Sequence, residues 1–178
     1  MSALFLLLGR HDERMLHALV LRRRGLADPL MRALTHLGDA WFTICLALAL
    51  SFGVATGLEE TGMRAGFALV VSHLGVQLLK RTITRPRPRL PVGCASLIEA
   101  PDRFSFPSGH SAASLSIALP LAVALSTPLA AGVLALAGIV GFSRCYLGVH
   151  YPGDVLAGWL LAAGAAWLST PFLAGVLR

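Results

Sequence analysis

The chain has 178 residues, 56% of them hydrophobic and 13% charged, and a formal net charge of +6. Soluble domains carry about a quarter charged residues, so this composition argues against a water-solvated fold and for lipid as the solvent. Lys80 is the single lysine, so arginine supplies the excess charge. No soluble basic surface or recognition motif accompanies it, which argues against nucleic acid, whereas forked guanidinium groups suit a phosphorylated or anionic lipid.

Residues 1–8 are apolar, but too short and without the leading positive charge of a secretory signal. Charged residues 10–14 and the run Arg22-Arg23-Arg24 bracket Met15, Leu16, Leu19 and Val20, which recur at helical spacing. Residues 1–27 therefore read as an amphipathic helix lying in the membrane interface. Asp28-Pro29 is a helix start, and residues 30–58 read as the first span. Glu59-Glu60-Thr61-Gly62 reads as a tight polar turn, followed by a second span over residues 63–80.

Residues 82–106 contain Pro86, Pro88, Pro91 and Pro101 and predict a long loop. A third span opens at Ser108 and runs to Leu125, with a kink at Pro120; the fourth covers residues 129–142 and the fifth residues 155–168. The predicted fold is all-α, one domain over residues 1–178: a multi-pass transmembrane bundle of five spans plus an N-terminal interfacial helix, or six spans if that segment crosses. With five spans, Lys80, Ser108, Arg144 and His150 all fall on one side of the membrane.

Those points carry the candidate chemistry. His150 and Asp154 lie one helical turn apart if Gly153-Asp154 opens a helix. A carboxylate on one ring nitrogen fixes the tautomer and frees the other to attack, so His150 is the candidate nucleophile and Asp154 its orienter. In Pro107-Ser108-Gly109-His110, Ser108 is an N-cap and Gly109 permits close approach to a helix N-terminus that binds anions. His110 is placed there to protonate a leaving oxygen. Lys80, Arg87 and Arg144 are cations suited to clamp a phosphoryl group. No metal or other cofactor is implied. Cys45, Cys94 and Cys145 suggest neither a disulfide framework nor a zinc site.

Lys80-x6-Arg87-Pro88, Pro107-Ser108-Gly109-His110 and Ser143-Arg144-x5-His150-x3-Asp154 together resemble the complete three-part signature of the type 2 phosphatidic acid phosphatase (PAP2) superfamily. The match spans residues 80–154. The resemblance implies a phosphohistidine at His150, oriented by Asp154, and His110 protonating the leaving group and later activating water. It implies phosphate binding by Lys80, Arg87, Ser108, Gly109 and Arg144. The small size and interfacial helix are similar to bacterial prenyl-diphosphate phosphatases, which makes undecaprenyl diphosphate the first expected substrate. Phosphatidic acid and phosphatidylglycerophosphate remain alternatives, as do lipid phosphotransfer and a non-catalytic lipid-binding or transport role.

Arg81, Arg85 and Arg89 read as topology anchors or substrate-attracting charges. Thr35, His36 and Asp39 read as a pocket mouth or as capping residues, and His73 with Gln77 as an interhelical polar contact in preference to a polar stripe facing the site. Arg22, Arg23, Arg24 and Arg32 lie on the catalytic face, while Glu59, Glu60, Arg64 and Arg178 lie on the other. The positive-inside rule places the catalytic face in the cytoplasm. The resemblance implies the exocytoplasmic side of a cell membrane, bacterial inner membrane by kinship, and that is the orientation expected here.

Overall fold

The computed structural model describes residues 3–176, with side chains from 9 to 170. Met1 and Ser2 of the N-terminal segment, Leu177, and Arg178 of the far-face charge lie outside the described residues. The helices are α1 (Ala3–Val20), α2 (Asp28–Thr35), α3 (Ala40–Ser51), α4 (Glu59–Ile83), α5 (Gly109–Ala124), α6 (Thr127–Tyr146) and α7 (Pro152–Val176). The architecture is all-helical, as expected.

The expected first span is broken. A 3-10 turn over His36–Gly38 and an extended Asp39 (φ −66°, ψ 145°) separate α2 from α3. The two parts meet at 52°. The helix then ends at Ser51, because residues 52–58 form a turn with Gly53 and Gly57 at positive φ. The turn expected at residues 59–62 is instead the first turn of α4. Glu59 and Glu60 there, and Lys80 and Arg81 in the last turn, complement the helix dipole. Helix α6 likewise runs past residue 142, the expected end of the fourth span, through Arg144 to Tyr146, which leaves residues 147–151 as the link to α7.

Among the described residues two helices, Glu59–Ile83 and Thr127–Tyr146, are long and apolar enough to cross a bilayer, and the bent pair makes three if taken as one span. Helix α5 is apolar but shorter. It is the hub of the bundle, packing on α3, α4, α6 and α7. Its contact with α4 is close because the facing residues are small. Ala65, Ala68 and Ala112 are buried, and the Ser72 and Ser116 hydroxyls stand 3.0 Å apart. Small residues and hydroxyl contacts are what bring helices together where lipid removes the hydrophobic drive. Outward, Val70, Leu74, Leu78, Leu156, Leu160 and Trp167 are exposed. Such a surface is stable against hydrocarbon rather than water.

Helix α1 covers the end of the bundle that carries the motifs. Its Leu16 and Val20 are buried with Cys145, Tyr151 and Val155. Its Arg10 and Arg14 stay exposed. Asp12 accepts from the Gly153 amide at 2.7 Å, so α1 also helps to fix the start of α7.

Candidate active site

Backbone contacts draw the three motifs together. The Ser108 amide donates to the Asp154 carbonyl at 2.9 Å, joining the start of α5 to the start of α7. The approach needs Gly158, whose hypothetical Cβ would stand 2.5 Å from the Ser108 carbonyl oxygen. The loop after α4 folds back on itself, with Pro86 bridged to Phe104 and the Ser105 amide donating to the Arg85 carbonyl at 2.8 Å. That fold presents Arg87, whose Nη1 donates to the Val149 carbonyl at 2.8 Å.

His150 sits at this junction, 1% exposed. Arg87 Nη1 lies 2.9 Å from its Nε2. A guanidinium has donors only, so Nε2 is the accepting nitrogen and Nδ1 carries the proton. Nδ1 faces Asp154 Oδ2 at 3.5 Å, a separation of electrostatic pairing rather than a tight hydrogen bond. Asp154 is held by other donors: the Tyr151 amide at 2.9 Å and Arg85 Nη1 at 2.7 Å. Burial pushes the His150 imidazole down to about 4; Asp154 opposes the shift, and Arg87 and Arg144 reinforce it. The ring is therefore neutral at physiological pH, with its lone pair on the cation side.

His110 stands in the first turn of α5. Ser108 caps that helix, its Oγ accepting from the Ser111 amide at 3.4 Å and from the Ser111 hydroxyl at 2.8 Å. His110 Nε2 donates to Asp39 Oδ1 at 2.8 Å. A Cβ at Gly109 would meet only Val76, at 3.9 Å, so packing does not demand glycine there.

The cations are arranged around a carboxylate that sequence reasoning passed over. The Lys80 ammonium pairs with Asp102 Oδ2, and Arg87 Nη2 with Asp102 Oδ1 at 2.7 Å. Burial alone would raise the Asp102 carboxyl; Lys80 and Arg87 outweigh it and hold the group below its ordinary value. Arg144 is 1% exposed and donates to Thr35 Oγ1 at 2.8 Å. Its Nε and other terminal nitrogen are buried with no protein acceptor among the described residues. Buried donors left unpaired are costly, and an oxyanion is the ligand that best satisfies a guanidinium.

Lys80 is thus linked through Asp102 to Arg87, Arg87 to His150, and His150 to Asp154, with Ser108 joined through its backbone. His110 and Arg144 approach from α5 and α6. Arg85, read as an anchor, instead ties Asp154 to Asp12, with Nη2 2.8 Å from Asp12 Oδ2. Thr35 and Asp39, read as a pocket mouth or caps, bind Arg144 and His110. Their one visible signal was position, near the start of a span on the motif face. His73 and Gln77 form an exposed pair within α4, 3.4 Å apart, rather than a contact between helices. Among the described residues, no group of three or more His, Cys, Asp or Glu is placed to hold a metal ion.

Comparison with known proteins identifies the family of the chain. The family model described as PAP2 superfamily matches residues 61–176. The chain is 33% identical over 135 residues to the decaprenylphosphoryl-5-phosphoribose phosphatase of Mycobacterium tuberculosis, covering 74% of this chain and 72% of that one. It is 32% identical over 163 residues to phosphatidylglycerophosphatase B of Bacillus subtilis, covering 84% and 77%. The crystal structure of a transmembrane PAP2-type phosphatidylglycerolphosphate phosphatase from Bacillus subtilis superposes with a TM-score of 0.79 at 29% identity, covering 95% of this chain and 87% of that one.

Proposed function

Since this chain belongs to the PAP2 superfamily of lipid phosphatases, we propose that it hydrolyses the phosphate monoester or diphosphate of a membrane lipid through a phosphohistidine at His150. The observation that carries this reading is the tautomer of His150. Arg87 donates to Nε2 at 2.9 Å, so the lone pair of that nitrogen is aimed into the cation cluster while the proton is turned to Asp154.

In the first step His150 Nε2 attacks phosphorus and the bond to the lipid oxygen breaks, with a proton passing from His110 to that oxygen. In the second, water attacks the phosphohistidine, gives its proton to His110, and inorganic phosphate leaves His150. Lys80, Arg87 and Arg144, with the Gly109 amide at the start of α5 that Ser108 caps, hold the phosphoryl oxygens through both steps. Fixed cations aimed at developing charge account for catalysis without requiring a metal.

The lipid we favour carries a polyprenyl tail, with undecaprenyl diphosphate as the first candidate. The mycobacterial relative, by its name, acts on a polyprenyl lipid phosphate. The Bacillus relative keeps glycerolipid phosphates as the alternative. The bundle would cross the membrane five times, with α1 in the interface and the site facing the exocytoplasmic side. Burial of Leu16 and Val20 opposite the exposed Arg10 and Arg14 supports the interfacial helix. Several motif-face cations are consumed inside the fold, which weakens them as topology signals. Arg85 binds Asp154 and Asp12, and Arg23 donates to the Ala95 carbonyl at 2.7 Å.

The test is phosphate release in liposomes, with EDTA present, from undecaprenyl diphosphate, phosphatidic acid and phosphatidylglycerophosphate. Wild-type protein is expected to release inorganic phosphate, fastest from the polyprenyl substrate, and to form an acid-labile phosphoenzyme that His150→Ala lacks. Transfer of the phosphate to an added alcohol instead would show a phosphotransferase. Full activity in His150→Ala would remove the nucleophile.

A further inference from the structure

The break between α2 and α3 lies outside all three motifs, yet it touches two of the residues assigned to the chemistry. We propose that Asp39 is a positioning residue for His110, and that the break from Thr35 to Asp39 is a fourth component of the site. The proposal rests on the phosphatase reading given above.

Asp39 occupies the N-cap of α3 with the extended backbone of a capping residue, but its side chain makes no capping bond. An aspartate there ordinarily accepts from the first amides of its own helix. Here both carboxylate oxygens are turned away from it. Oδ1 accepts from His110 Nε2 at 2.8 Å, and Oδ2 accepts from His36 Nδ1 at 2.7 Å and from Trp41 Nε1 at 3.2 Å. The carboxylate is thus held from one side and offered to His110 from the other.

A second observation is independent of the first. Gly38 is buried against His110. A Cβ at position 38 would stand 2.9 Å from the His110 carbonyl oxygen, 3.0 Å from the His110 Cβ and 2.8 Å from Val140 Cγ1. Only a residue without a side chain lets the break lie this close to His110. The same segment also supplies Thr35 to Arg144.

The chemistry follows from which nitrogen is taken. With Nε2–H held by Asp39, Nδ1 is the atom left to exchange a proton with substrate. It gives a proton to the lipid oxygen as the bond to phosphorus breaks. It takes one back from water as the water oxygen bonds to phosphorus and the bond to His150 breaks. A carboxylate beside the ring stabilises the imidazolium that the first step consumes and the second restores. Asp39 acts through His110 and need not touch the substrate.

The distinguishing probe is the leaving group. A lipid alkoxide needs a proton to depart, whereas 4-nitrophenolate does not. In Asp39→Asn, kcat on a lipid phosphate should fall about 10²-fold, the lower end of what general acid–base catalysis contributes, while KM stays within about threefold. With 4-nitrophenyl phosphate the first turnover should survive as a burst. Phosphoenzyme should then accumulate, because water activation is lost. Asp39→Glu should restore part of the lipid activity. If Asp39→Asn does not fold, Trp41→Phe removes one donor from Oδ2 and should shift both substrates in the same pattern by a few fold. Wild-type kinetics in these variants, or equal loss of burst and turnover, would overturn the proposal. Absence of any phosphoenzyme in the wild type would instead remove the reading on which it stands.

Discussion

His150 and His110 each face a carboxylate, but their surroundings differ: the His150 side chain is 2% exposed and the His110 side chain 19%. Asp154, the partner of His150, is fully buried and fastened by the Tyr151 amide and Arg85. Asp39, the partner of His110, is 22% exposed and reaches His36, which is 65% exposed. A nucleophile profits from being neutral, fixed and dry, and burial supplies all three for His150. A general acid and base must change its protonation state twice in each cycle, and an imidazole nearer water does so more readily. In the proposed mechanism the same side-chain pair is set to two tasks by burial and by what holds the carboxylate.

The sharpest way to break this comparison is to remove each ring. His150→Ala should lose about 10⁴-fold or more in turnover and all phosphoenzyme, since no bond to phosphorus can form. His110→Ala should lose about 10²- to 10⁴-fold on lipid substrates and still form phosphoenzyme from 4-nitrophenyl phosphate. If the two variants behaved alike on both substrates, the division of labour would be wrong.

Next in size is the clamp. Arg144→Ala should cost about 10²- to 10³-fold, the scale of losing one preorganised donor, whereas the same change at Arg89 should cost little. Equal losses would erase the distinction between clamp and anchor. Arg85→Ala should cost about 10- to 100-fold in kcat, the worth of one charge-assisted hydrogen bond to Asp154, with little change in KM. The nitrogen chemical shifts of the His150 ring should titrate with a midpoint near 4, well below the ordinary imidazole value. A midpoint at the ordinary value would mean that the ring is not held in the dry setting described.

Much of the site was legible in the chain because its motifs are local. Ser108 one residue before α5, and His150 four residues before Asp154, declare a helix start and a ring–carboxylate pair by spacing alone. The partners that fasten those motifs are distant in sequence and carry no spacing signal. Asp39 lies 71 residues from His110, Thr35 lies 109 from Arg144, and Arg85 lies 69 from Asp154. The same limit applied to the fold. Apolar blocks located the helices, but not the break at Asp39, because hydropathy is blind to a backbone that turns extended for one residue. Glu59 and Glu60 looked like a turn by polarity, although the same charges favour a helix N-terminus.

Asp102 supplies the smallest effect, and one of opposite sign. Its carboxylate bridges Lys80 and Arg87, the two first-motif cations proposed to hold phosphate, and it is 41% exposed on a loop rather than built into a helix. A substrate phosphate has to take those donors from it. An anion that occupies the clamp lowers the fraction of binding-competent protein, and apparent affinity falls by that fraction. Asp102→Asn removes the charge but keeps the shape, so inorganic phosphate and orthovanadate should inhibit at concentrations about 3- to 10-fold lower, and KM for the lipid should fall with them. A rise in KM would mean that Asp102 aligns Lys80 and Arg87 for the substrate instead of competing with it. That outcome would place the carboxylate with Asp154 and Asp39, as a third acidic group holding a site cation or imidazole in place.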